Sequence, residues 1–78
     1  MSEGSIVLYT SRPCGQCDKV RELLDSWEVV YEERMLSEDP GYLKTLQEAG
    51  IYGTPVTFIG DDRVLGVQEN KLKKKVGA

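Results

Sequence analysis

Two cysteines stand three positions apart in Cys14-Gly15-Gln16-Cys17, and the 78-residue chain holds no other cysteine and no histidine. Thiols at this spacing can supply half of a metal site, or they can cycle between dithiol and disulfide. A structural zinc needs about four ligands, nearly all from cysteine and histidine, so here carboxylates or a second chain would have to complete it. A bridge that only stabilises is a poor reading too. Its loop is too short to restrain much of the unfolded chain, and small stapled domains spread four to eight cysteines along their length. Redox exchange is favoured. Zinc and two inert core cysteines stay as alternatives.

Exchange needs a thiolate, and the flanking residues place one. Ile6-Val7-Leu8-Tyr9 is a continuous apolar run of strand length, broken by Ser11-Arg12-Pro13. Beyond the cysteines Val20, Leu23, Leu24 and Trp27 recur at i, i+3, i+4 and i+7, the stripe of an amphipathic helix. Cys14 is therefore expected where a strand-exit loop meets a helix start, where free N–H groups and the positive dipole end favour thiolate. Arg12 could add positive charge, although a solvated loop arginine is the plainer reading. Cys17 lies one turn on, on the same side and within reach of a disulfide. Gly15 is read as letting the chain turn tightly between them. Cys14 is assigned as nucleophile and Cys17 as resolving thiol.

The remaining elements must hold that corner in place. Val29-Val30-Tyr31-Glu32-Glu33 reads as a second strand. Asp39-Pro40 opens a helix with an acceptor at the cap and proline at the first turn, its stripe is Tyr42, Leu43, Leu46 and Ala49, and Gly50 stops it. Val56-Thr57-Phe58-Ile59 and Val64-Leu65 flank Gly60-Asp61-Asp62-Arg63 as a hairpin. Gln68 to Val76 is a last helix. The helix between the first two strands implies a right-handed parallel crossover, and the later pair must be antiparallel. The expected fold class is α/β, in the order βαβαββα, a four-stranded mixed sheet flanked by three helices.

Residues 1–78 are expected to form a single domain with a modest core. About 40% apolar residues with mixed charges fit a globular chain. A net charge of −3 argues against nucleic acid, where binding depends on neutralising phosphates. The basic run Lys71-Leu72-Lys73-Lys74-Lys75 reads as the end of a helix, with an acidic docking partner as the alternative. No stretch reaches the roughly 18 apolar residues of a membrane span. Met1 to Ser5 lacks the basic and apolar regions of a secretory signal, so a cytoplasmic protein is expected. Thr54-Pro55, before the third strand, reads on its own as an ordinary trans proline opening a strand.

Tyr9-Thr10 before the Cys14–Cys17 pair, Gly53-Thr54-Pro55-Val56, and Leu65-Gly66 together resemble the glutaredoxin branch of the thioredoxin fold, in order and spacing over nearly the whole chain. The resemblance implies that Thr54-Pro55 is cis, faces the cysteines, and pairs its backbone with substrate as an extra strand. With Arg12 and Gly15 beside the first cysteine, the expected substrate site is Arg12, Gly15, Thr54, Pro55 and Gly66, with no bound cofactor or metal, and a reductase is expected to dock around Arg12, Gly15 and Tyr52. Glutathione-dependent members carry a Gly-Gly pair and then an acid, where this chain has Gly66-Val67 and Asn70. They also often carry lysine three residues before the first cysteine, where Ser11 stands. NrdH-type redoxins commonly have glutamine before the second cysteine, as Gln16 is, and Gln47-Glu48-Ala49-Gly50-Ile51-Tyr52 looks like theirs. Their aromatic-rich stretch after the last strand is not matched, since Val67-Gln68-Glu69 stands there.

The expectation is an NrdH-like monomer, a dithiol–disulfide oxidoreductase recycled by a thioredoxin-reductase-type flavoenzyme. A glutathione-dependent glutaredoxin is the alternative. The client is a disulfide-containing protein, and ribonucleotide reductase is the one the resemblance implies. Two rivals from other classes are a binding module whose cysteines no longer turn over and a carrier of metal or an iron–sulfur cluster. Thiol labelling before and after mild reduction separates the first reading from both.

Overall fold

A computed structural model of the protein describes residues 6–12 and 14–77. The readings of residues 1–5 and of Pro13 lie outside them. The elements are β1 (Ile6–Thr10), α1 (Gly15–Ser26), β2 (Glu32–Met35), a 3-10 turn (Leu36–Glu38), α2 (Pro40–Glu48), β3 (Val56–Ile59), β4 (Asp62–Leu65) and α3 (Glu69–Val76). The strands lie in the order β2-β1-β3-β4. β1 and β2 are parallel, while β3 is antiparallel to both β1 and β4. This is the mixed sheet expected of a thioredoxin-like chain.

Helix ends explain where the elements stop. Asp39 caps α2 by accepting from Gly41 N at 2.8 Å, with Pro40 in the first turn. At its other end Gly50 takes φ 78°, Gly50 N donates to Gln47 O at 2.9 Å, and Ile51 N donates to Leu46 O at 2.9 Å. Those are the two bonds of a Schellman ending, and Ile51 packs with Leu46 beside them. α1 ends with the same pair of bonds, Glu28 N to Asp25 O at 3.0 Å and Val29 N to Leu24 O at 3.1 Å. The left-handed position there is taken by Glu28, at φ 56°.

That ending moves the second strand. The expected span Val29–Glu33 becomes Glu32–Met35, because Val29 is bound back to α1 and Val30 is 88% exposed. Pairing starts only where Glu32 meets Val7. The hairpin is also tighter than expected. Ile59 pairs with Asp62, which leaves Gly60-Asp61 as a two-residue loop with Gly60 at φ 59° in its first position. In α2 the stripe narrows to Tyr42, Leu46 and Ala49, and Leu43 is exposed. Lys73, Lys74 and Lys75 fill the last turn of α3, where cations offset the helix dipole. Lys75 also pairs with Asp62 at 3.1 Å.

Two apolar clusters lie on opposite faces of the sheet. Ile6, Leu8, Ile59 and Val64 bury against Val20 and Leu24 of α1 and Leu72 of α3. Tyr9 and Val56 bury against Leu46 of α2 and against Ile51 just beyond it. Each fully buried aliphatic side chain contributes roughly 1.5–3 kcal/mol. β1 sits between β2 and β3, and its C-terminal end delivers the chain to α1.

Candidate active site

Cys14 is the N-cap of α1, with extended backbone (φ −157°, ψ 95°). In that position its sulfur accepts from Cys17 N at 3.1 Å, so one of the orphan donors of the helix start points at it. Cys14 and Cys17 form a disulfide, with 5.3 Å between their Cα atoms. The two sulfurs differ in access: Cys14 is partly exposed, whereas Cys17 is fully buried. Attack from outside can reach only the first.

The Thr54–Pro55 peptide is cis, as the resemblance implied and against the trans reading of the dipeptide alone. Pro55 is buried. Thr54 Oγ1 lies 4.0 Å from Cys14 Sγ and 2.6 Å from Ser11 Oγ. Gly66 N donates to Pro55 O at 2.9 Å, and Gly66 takes φ 72°, a conformation that favours glycine.

The residues read from the sequence fall into two grooves. Arg12 and Gly15 line one with Ser11, Cys14, Asp18 and Arg21. Thr54, Pro55 and Gly66 line the other, in a wall that includes Ile51, Tyr52 and Leu65. Cys17 lines neither. Gly15 does not make the tight turn expected of it. It is the first residue of α1, its φ is not positive, and a Cβ built on it meets nothing within 4 Å. No tight turn requires glycine there.

Arg12 is exposed, and among the described residues it makes no ion pair. Arg21 is held instead, by Asp18 one turn away and by Glu33 of β2 at 2.6 Å. Glu33 also accepts from Thr10 Oγ1 at 2.9 Å. Partial burial works against the Arg21 charge, but the hydrogen bonds and charges of Glu33 and Asp18 outweigh it and hold its pKa above the ordinary value. This knot fastens α1 to β1 and β2 one turn below Cys17. Sequence reasoning missed Glu33, Thr10 and Arg21 as a unit, and saw in Ser11 a strand break and a departure from lysine, not a partner of Thr54. Arg21 stands at i+4 from Cys17 and so shares its side, but no local signal pairs it with a strand twelve residues on. Among the described residues, no group of three or more His, Cys, Asp or Glu is placed to hold a metal ion.

A thiol pair at a helix start, opposite a cis proline on a four-stranded mixed sheet, defines a dithiol–disulfide oxidoreductase of thioredoxin fold. The glutaredoxin family profile matches residues 6–64, and the chain belongs to that family. It is similar to the glutaredoxin-like protein NrdH of Lactococcus lactis subsp. lactis, with 26% identity over 69 residues, 88% of this chain and 96% of that protein. Among solved structures, the thioredoxin-like protein BC3987 matches with a TM-score of 0.85 and 32% identity, over 91% of this chain and 99% of that one. The NrdH-redoxin of Escherichia coli shares the fold, with a TM-score of 0.84 at 21% identity over 90% of this chain and 92% of its own.

Proposed function

We propose that this protein is an NrdH-like electron donor that reduces disulfides in client proteins and is recycled by a thioredoxin-reductase-type flavoenzyme. The observation that carries it is the asymmetry of the pair: Cys14 is reachable and accepts an N–H at the helix start, and Cys17 is sealed beneath it. Cys14 thiolate attacks one sulfur of a client disulfide, forms a mixed disulfide and expels the other sulfur as thiolate. Cys17 gives up its proton and attacks Cys14 Sγ, releasing the second client thiolate and closing the internal bridge. Both client thiolates take up protons. Two electrons and two protons from the reductase restore the dithiol.

The client peptide lies along the cis-proline groove, with its backbone against Thr54-Pro55 and room left by Gly66. Arg12 and Gly15 border the nucleophile on the other side. For the reductant, the supporting features are the missing end-group contacts for glutathione at Ser11, Val67 and Asn70, and the apolar rim beside the proline. Tyr52 is 80% exposed and Leu65 49% exposed there, which suits docking by a protein surface. The protein works as a cytoplasmic monomer, and ribonucleotide reductase is the client to try first.

Insulin reduction, run in parallel with thioredoxin reductase and with glutathione plus its reductase, tests the reading. Turnover with the flavoenzyme supports it; turnover with glutathione alone moves the chain to the glutathione-dependent members. In the same assay Cys14→Ser abolishes activity, and Cys17→Ser stalls as an isolable mixed disulfide. Trapping by Cys14→Ser instead would reverse the two roles.

A further inference from the structure

Cys14 sulfur is approached from a second direction besides the helix. Thr54 Oγ1 stands 4.0 Å from it, and Ser11 Oγ stands 2.6 Å from Thr54 Oγ1, although the two hydroxyls are 43 residues apart in the chain. A hydroxyl has one proton to give and two lone pairs to receive with. If Thr54 gave its proton to Ser11, none would remain for the sulfur. If Ser11 donates to Thr54, the Thr54 proton is free to point at Cys14. Which arrangement prevails depends on the sulfur. In the disulfide it is a weak acceptor; in the thiolate it is charged, and hydrogen bonds to charged acceptors are roughly twice as strong as neutral ones.

We propose that Ser11 is a positioning residue which, through the Thr54 hydroxyl, stabilises the Cys14 thiolate. The proposal rests on the reading of Cys14 as nucleophile. Ser11 does not touch the sulfur. It orients the group that does, and a donated hydrogen bond makes the Thr54 hydroxyl a better donor in turn. Reduction of the bridge therefore turns the Ser11–Thr54 pair toward the sulfur and poises Cys14 for attack.

Other groups also act on this thiol. Arg12 from the loop and Asp18 and Arg21 from α1 line the groove beside it, with Glu33 of β2 behind Arg21. The segment carrying Thr54 adds Tyr52 as its one titratable group. None of these is altered by replacing Ser11, so a shift on that replacement belongs to the relay.

The test measures the rate of iodoacetamide alkylation of Cys14 against pH, in full-length reduced protein carrying Cys17→Ser so that one thiol reacts. Ser11→Ala raises the midpoint by about half a unit to one unit, a threefold to tenfold loss of thiolate below the midpoint. Ser11→Thr, which keeps the hydroxyl, restores it. Thr54→Val raises the midpoint at least as far, and Ser11→Ala added to Thr54→Val shifts it no further. A Ser11→Ala profile that superimposes on the parent overturns the proposal, and so do additive shifts in the double variant. Insulin reduction by the unaltered chain reads the nucleophile role separately. Failure there with the pH shift intact sinks the proposed function and spares the relay.

Discussion

The two faces of the sheet are built from different materials. On one, Val20 and Leu24 of α1 and Leu72 of α3 close over Ile6, Leu8, Ile59 and Val64, so that every buried side chain of that cluster is aliphatic and Trp27 and Tyr31 pack only at the margin. On the other, the nine-residue α2 covers Tyr9 and Val56, and aromatic contacts complete the surface. Tyr9 packs edge-on against Tyr42 and Phe58, with ring centres 6.0 and 5.5 Å apart. The Arg34 guanidinium lies 5.7 Å from the Tyr9 ring and 5.6 Å from that of Tyr42, and donates to Tyr9 Oη at 2.9 Å and to Glu32 at 2.7 Å. The closed aliphatic face carries the helix that presents both cysteines. Full burial is concentrated on the face that carries the cysteines, and the aromatic face is closed by side chains that stay partly wet.

The sharpest break of this contrast comes from truncation. Leu24→Ala, in the closed face, is expected to lose about 2–5 kcal/mol of unfolding free energy in urea. Arg34→Met, on the aromatic face, should lose only about 1–2 kcal/mol, because its two ring contacts, its bond to Tyr9 and its exposed pair with Glu32 are all partly solvated and the methionine stem keeps part of the packing. Equal losses would mean that the faces do not differ in kind.

A smaller effect of opposite sign is expected inside the closed face. Thr57 is fully buried, registers between Leu8 and Val64, and its hydroxyl has no partner among the described residues. Thr57→Val keeps the shape and removes the orphan, so it should stabilise by about 1 kcal/mol. A loss of stability in thermal unfolding would show that the hydroxyl is bonded in solution.

The helices that cover the two faces end alike but on different residues. Glu28→Gly should stabilise by roughly 0.5–1 kcal/mol, because glycine adopts the left-handed conformation without the Cβ penalty. Gly50→Ala should destabilise by a similar amount or more. Matching responses of one sign would contradict the shared ending.

The smallest expected effects are in pH. The Glu32 carboxyl is held below the usual carboxylate range by its hydrogen bond from Arg34. Its contribution is therefore present above the ordinary glutamate pKa and fades as the pH falls through the lowered folded value. Tyr31, packed at the edge of the closed face, is shifted the other way by burial and by its bond to Asp25. Its contribution is full below pH of about 10 and fades as the pH rises through the higher folded value. Glu32→Gln should flatten the acid limb of a stability–pH curve, and Tyr31→Phe the alkaline limb. Each limb should be indifferent to the other substitution.

Much of the molecule was legible along the chain. The cysteine spacing, the strand run before it and the stripe after it placed Cys14 at a helix start, because each signal acts within one or two turns. The order of elements followed in the same way, and with it the parallel crossover and the antiparallel hairpin. The second strand starts later than the propensity of Val29 and Val30 suggests, because Val29 is bonded back to Leu24 in ending α1 and Val30 stands exposed between the two elements. Nothing local marks where pairing with Val7 begins. Gly15 was given a conformational reason when its neighbours impose none.

What only the tertiary structure decided is which distant groups meet. The pairing of Glu33 with Thr10 and Arg21, of Gly66 with Pro55, and of Ser11 with Thr54 beside the sulfur all join separate stretches of chain. By itself the sequence determined the reactive pair and the elements that present it, since spacing and periodicity are properties of neighbouring residues. The surroundings of the pair depend on sheet register and on how α1 sits across it. Those are settled by the packing of the whole core, which no single segment contains.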